Sequence, residues 1–243
     1  MGRLTEAIKH LLIINILFFV ATSLYGDQMY QWFSLWFPKN ENFGLWQIVS
    51  HMFMHGGFMH IAFNMYALYA FGSPLEQMWG RNKFFFFYFS AGLGAALIHT
   101  GVNYYHFNEG MTELISNGVP EEQIQRLLNI PRDIVRADYG QYLDFYDSYN
   151  TPAVGASGAI YGVLVAFGMS FPNSELFLIF LPVPIKAKYF IPVLIGLDLF
   201  SGVTGYSLFG QGIAHFAHVG GALFGFLMMW YWKKNQFNKN RWN

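Results

Sequence analysis

Residues 213–232 read IAHFAHVGGALFGFLMMWYW, twenty consecutive positions without an acidic or basic residue other than His215 and His218. About 20 mostly apolar residues are what a helix needs to cross the hydrocarbon of a bilayer. Imidazoles inside such a span are expensive and face protein or a water-filled cavity. Gly221 and Gly225 follow at a spacing of four, a small-xxx-small pattern that lets helix backbones approach closely in lipid. A second stretch, GASGAIYGVLVAFGMSF at 155–171, repeats the theme: Ser157 sits at its start, and Gly158 and Gly162 form the small pair. The chain is therefore expected to be an all-α polytopic membrane protein.

Composition agrees. Only 12% of the 243 residues are charged and 54% are hydrophobic, whereas soluble domains carry about 25% charge. The chain has no cysteine, which excludes disulfides, thiol nucleophiles and thiolate metal sites. No segment reads as a basic nucleic-acid-binding surface. Six stretches have the length and apolarity of spans: about 8–25, 58–78, 84–105, 155–171, 189–206 and 213–232. The first lacks a small-residue cleavage site after it and is read as a retained span rather than a signal peptide. With both termini cytoplasmic, ten Lys and Arg residues fall on the inner side and four (Lys39, Arg126, Arg132, Arg136) on the outer side. The expected organisation is one six-helix domain over residues 1–243, with no further soluble domain or seventh span.

Two outer connections are long. Residues 26–47 mix aromatics with Pro38, Lys39, Asn40 and Glu41, as suits a loop lying partly in the interface. A long acidic extracytoplasmic loop is expected at about 106–153. Within it Pro120-Glu121-Glu122 opens a short amphipathic helix, with Ile124, Leu127 and Leu128 as its apolar stripe.

Ser157 and His218 begin helices that enter from the same side. At 1.5 Å per residue both lie roughly 5–10 Å below their helix starts, the condition for a nucleophile–base pair on adjacent parallel helices. His215 competes for the role of base. It lies nearer the surface, whereas His218 lies in the glycine-packed part. On the second span His60 and Asn64 are four apart and share a face. Either could donate to the oxyanion of a tetrahedral intermediate, together with the Ser157 N–H. No metal site and no cofactor are expected, since no His-Glu-x-x-His run is present and no acidic residue lies beside His51, His55 and His60.

These motifs resemble those of the rhomboid intramembrane serine proteases. Gly155-Ala156-Ser157-Gly158 is similar to the family's GxSG, which implies Ser157 as nucleophile. His218-x-x-Gly221-x-x-x-Gly225 is similar to its last-helix motif and implies His218, not His215, as base. His60-x-x-x-Asn64 is similar to its second-helix motif and implies an oxyanion role for both. Tyr161 matches an aromatic that in the family packs on the histidine ring. The resemblance departs at Trp46-Gln47, where the family often has Trp-Arg.

It implies a six-helix rhomboid bundle that cleaves transmembrane proteins near the outer leaflet, the substrate entering laterally from lipid between the second and fifth helices. No carboxylate lies within a turn of His218 in sequence, so a Ser–His dyad is expected. Asp198, central in the fifth helix, is expected to be structural or gating. A non-catalytic rhomboid-like binding factor and a small-molecule transporter are the alternatives. The first would lack Ser or His, and the second would show internal repeats. The expected location is a bacterial inner membrane.

Overall fold

The computed structural model describes residues 4–178, 181–206 and 214–239. Ile213, the start of the expected last span, and Arg3 and Arg241, two of the ten inner basic residues, lie outside the described residues. The chain is mostly helical. Helix α1 (Glu6–Tyr25) opens the fold, and the short α2 (Asp27–Phe33) and α3 (Gln47–Ser50) follow in the first connection.

The second predicted span is one helix broken in character: α4 (Phe58–Ala67), a π-helical stretch (Leu68–Gly72) and α5 (Ser73–Trp79). Pro74 explains the break. It has no N–H to donate, and its ring would strike the carbonyl four residues back, so the helix widens just ahead of it. Glu76 of α5 is buried and caps α1. Its carboxylate accepts from the backbone N–H groups of Ala7 (2.7 Å) and Ile8 (3.0 Å) and from the Thr5 hydroxyl. These are orphan donors at the positive end of the α1 dipole.

Helix α6 (Arg81–Ser116) has 36 residues, about 54 Å at 1.5 Å per residue against about 30 Å of hydrocarbon. It therefore projects well beyond a span. The expected boundary near Tyr105 is not a helix end, and residues 106–116 of the expected acidic loop are helical. The rest of that loop is also structured. Helices α7 (Glu121–Asn129), α8 (Arg132–Asp138) and α9 (Leu143–Asn150) fold back on the projecting end of α6. Ile124, Leu127 and Leu128, the expected stripe, are buried with Phe107, Leu114 and Phe145 in a second hydrophobic core. Arg132 grips Asp147 with two hydrogen bonds, of 2.6 and 2.5 Å. The segment is a small helical cap with its own core.

Helix α10 (Ser157–Ser170) is buried along most of its length. A hairpin of β1 (Glu175–Leu178) and β2 (Leu181–Lys186), paired antiparallel with Glu175 opposite Lys186, leads to α11 (Ala187–Thr204). Helix α12 (His215–Lys239) ends the described chain. By length and composition α1, α6 and α11 are the described helices apolar enough to cross a membrane, and α10 is a shorter apolar helix.

The α10–α12 contact depends on glycine. A Cβ on Gly221 would lie 1.8 Å from the Gly158 carbonyl oxygen, and one on Gly225 would lie 2.6 Å from the Gly162 Cα. Only bare backbones fit at this separation.

Candidate active site

Ser157 is the first residue of α10, where the N–H groups of the opening turn have no helical partner. The turn before it is fixed from two sides. Leu35 and Ala153 exchange two backbone hydrogen bonds of 2.9 Å, and the Gly155 N–H donates to the His51 carbonyl at 2.9 Å. Gly155 has φ +124°, a conformation that L side chains rarely adopt. A Cβ there would fall 2.9 Å from His60 Nε2 and 3.4 Å from Ser157 Oγ, so these two groups flank one small space.

His218 Nε2 and Ser157 Oγ are 2.9 Å apart. The Tyr161 ring, one turn along α10, stacks on the His218 ring with centroids 4.2 Å apart and planes 10° apart. The close α10–α12 approach at Gly158 and Gly221 is what brings so short a side chain as serine within reach of the imidazole. His215 does not contact Ser157 in this way; its Nδ1 faces Asp198 Oδ1 at 2.6 Å.

Asp198 is where sequence reasoning fell short. It reaches across from α11, and its Oδ1 lies 3.1 Å from His218 Nδ1. Tyr161 donates its hydroxyl to the other oxygen. The expected Ser–His dyad counted only carboxylates within a turn of His218 and gave Asp198 a structural or gating role; in the structure Asp198 attends the imidazole from another helix, 20 residues away. The available signal was a lone buried carboxylate in an apolar helix, which by default marks function.

His60 and Asn64 stand one turn apart on α4. His60 Nδ1 accepts from the Gly56 N–H at 3.3 Å, which leaves the proton of a neutral ring on Nε2, the nitrogen beside Gly155. Asn64 is buried, and its Nδ2 has no hydrogen-bond partner among the described residues. Buried amide donors are seldom left unpaired in this way.

The connection ahead of α4 supports the site. Gln47 is fully buried, and its amide donates to the carbonyls of Gln31, Trp32 and Asn42. The neutral side chain at the position of the Trp-Arg departure is therefore a structural hub of the first connection. His51 Nδ1 bonds the Gln47 carbonyl at 2.8 Å, and the His55 ring lies edge-on to His60. Burial lowers the His51 imidazole to about 4. Burial, with the neighbouring His60, does the same to His55. Both are neutral at physiological pH and act as hydrogen-bonding spacers.

The sequence matches the Rhomboid domain over residues 42–117 and 135–235. The chain belongs to the rhomboid family. Residues 118–134, which include α7 of the cap, fall between the two matched blocks. The chain is 30% identical over 180 residues to the mitochondrial presenilin-associated rhomboid-like protein of Bos taurus, covering 74% of this chain and 35% of that one. It is 27% identical over 187 residues to Rhomboid protein 1, mitochondrial, of Saccharomyces cerevisiae, covering 77% and 42%. It is 27% identical over 193 residues to rhomboid protease AarA of Providencia stuartii, covering 75% and 54%. The aligned part thus spans about a third to a half of the length of these relatives.

Proposed function

We propose that the chain is an intramembrane serine endopeptidase that cleaves transmembrane proteins. The observation that carries this reading is the 2.9 Å contact of Ser157 Oγ with His218 Nε2, backed by Asp198 on the other ring nitrogen. Asp198 accepts the Nδ1–H of His218 and so leaves the Nε2 lone pair facing Ser157. His218 takes the Ser157 proton as Oγ attacks the scissile carbonyl. The oxyanion forms in the space beside Gly155, where His60 Nε2–H, Asn64 Nδ2 and the Ser157 N–H are the available donors. His218 then passes its proton to the leaving amine, and the acyl-enzyme remains on Ser157. Water, deprotonated by His218, releases the acyl group. Ser157 and His218 are the reacting pair; Asp198 and Tyr161 position the imidazole.

The proposed setting is a six-span bundle with both termini cytoplasmic, one domain over residues 1–243, with the cap of residues 106–153 outside the membrane. Substrate helices enter laterally from lipid between α11 and the helix formed by α4 and α5. No nucleic acid and no cofactor take part. We assign it to a bacterial plasma membrane, as for a relative of AarA. The mitochondrial relatives make a mitochondrial membrane the rival location, which fractionation of the native cells decides.

The test is cleavage of a model transmembrane substrate by the purified chain in detergent. Cleavage by wild type, lost in Ser157→Ala and in His218→Ala, is the expected result. A folded wild type that binds the substrate without cutting it would favour the non-catalytic binding factor instead.

A further inference from the structure

We propose that Asp198, His215 and His218 form a binding site for a zinc-like divalent ion, and that filling it switches off Ser157. The switching half rests on the protease reading above; the binding half does not.

One ligand atom from each of the three side chains lies within 4.8 Å of the others. Asp198 Oδ1 is the common centre, 2.6 Å from His215 Nδ1 and 3.1 Å from His218 Nδ1. A tetrahedral ion with bonds of about 2.0–2.2 Å holds its ligand atoms about 3.3 Å apart. Relative to Asp198 Oδ1, the His218 ring at 3.1 Å is close to that spacing, and the His215 ring at 2.6 Å has to draw back by about 0.7 Å. Two imidazoles and one carboxylate, with a fourth position left for water, form a zinc donor set. Magnesium and calcium, which require oxygen ligands, do not suit it.

The surroundings favour an ion here. Tyr161 donates to the other oxygen of Asp198, which fixes the carboxylate and leaves Oδ1 to ligate. The same ring holds the His218 plane by stacking. The side chains of His215 and His218 keep 10% and 12% of their exposure, against 3% for Asp198, so an ion reaches the site from the histidine side.

The consequence for chemistry follows from the two nitrogens of one ring. In the proposed active form, His218 carries its proton on Nδ1 and offers the Nε2 lone pair to Ser157. A neutral imidazole carries one N–H proton, so an ion ligated by the Nδ1 lone pair requires that single proton to move from Nδ1 to Nε2. The ring can then donate to Ser157 Oγ but cannot accept its proton. The metal takes the position of the orienting proton, and the base is lost without any backbone movement.

The experiment uses the full chain, free of any histidine tag, in detergent. Zinc binding is measured by competition with a chromophoric chelator, and cleavage is measured at buffered free zinc. Wild type and Ser157→Ala are expected to bind one zinc per chain with equal affinity. His215→Gln, which keeps a hydrogen-bond donor toward Asp198, is expected to lose more than the roughly 10–100-fold typical of an outer hydrogen-bond partner. Zinc at ten times its dissociation constant should cut wild-type cleavage about tenfold by mass action, and chelator should restore it. The His215→Gln variant, whatever its own rate, should not respond.

Cobalt bound to wild type should show the visible absorption of a four-coordinate ion. A six-coordinate spectrum, equal zinc affinity in His215→Gln, or equally tight magnesium binding would overturn the site. Zinc bound at these residues without loss of cleavage would overturn the switch. A chain that cleaves nothing with or without zinc refutes the protease reading, while stoichiometry and the His215→Gln result still decide the metal site.

Discussion

Replacing Asp198 with Asn tests how much of the proposed chemistry depends on a carboxylate supplied from α11. The exchange keeps the shape but removes the charge opposite His218 Nδ1, 3.1 Å away. That distance is at the long end for an N–H···O bond, so the lower part of the range for a charged hydrogen bond applies, about 1.5 kcal/mol. The upper bound is set by attraction between the imidazolium formed in the transition state and the carboxylate. At about 4 Å and an effective dielectric of 20 this is about 4 kcal/mol. These limits correspond to roughly a 10- to 1,000-fold loss in turnover.

Substrate binding does not involve Asp198 in this account, so kcat should fall while KM stays near its wild-type value. The assay is initial-rate cleavage of a transmembrane substrate over a range of substrate mole fractions in proteoliposomes. A melting curve checks that the variant is folded. A folded Asp198→Asn protein with kcat within about twofold of wild type, or with only KM changed, would refute the orienting role.

Other perturbations test the packing that builds the site. Gly221→Ala drives a methyl to within 1.8 Å of the Gly158 carbonyl oxygen. It should cost at least the roughly 1–3 kcal/mol of core overpacking and sharply reduce cleavage. Gly101→Ala, which meets nothing within 4 Å in the interior of α6, should leave cleavage unchanged and not lower the melting temperature. Glu76→Gln weakens the cap on α1 and should lower stability by about 1–3 kcal/mol, read as a lower melting temperature. His51 and His55 are held near 4 in the folded chain and return to about 6.5 on unfolding. Below pH 6.5 the unfolded chain therefore binds more protons than the folded one. Stability should fall as pH drops from 6.5 to 4, by roughly 1 kcal/mol per pH unit per histidine, and then level off. Melting curves at stepped pH should show this loss, and the His51→Gln variant should show less of it.

Sequence alone was enough to bring Ser157 and His218 to one depth, because each lies at the start of an apolar helix and each is followed by glycines that specify a close crossing. His60 and Asn64 were readable from a spacing of four. Asp198 was not assigned its place. Its partners His215, His218 and Tyr161 lie 17 to 37 residues away on other helices, and local periodicity says nothing about which helices meet.

The end of α6 was misplaced for a different reason. The polar residues after Tyr105 mark where the chain leaves an apolar environment. A helix satisfies its own backbone in water as well as in lipid; no proline occurs between Tyr105 and Pro120, and Gly110 stays helical, packed closely against Phe145. The cap's acidic residues stand out in the sequence, whereas its apolar core does not. Its core draws on Phe37, Phe107 and Phe145, which come from three separate segments. The break at Leu68–Gly72 was legible in principle from Pro74, whereas the hairpin at 175–186 contains Pro182 and Pro184 and carries no clean alternation.

The central claim is that Ser157 is a nucleophile made reactive by His218. Treating the purified chain with a fluorophosphonate and mapping the adduct by peptide mass spectrometry tests it most directly. One adduct per chain is expected, on the peptide containing Ser157, and none at the same exposure in His218→Ala. An adduct on a different serine, or Ser157 labelled equally well without His218, would contradict it.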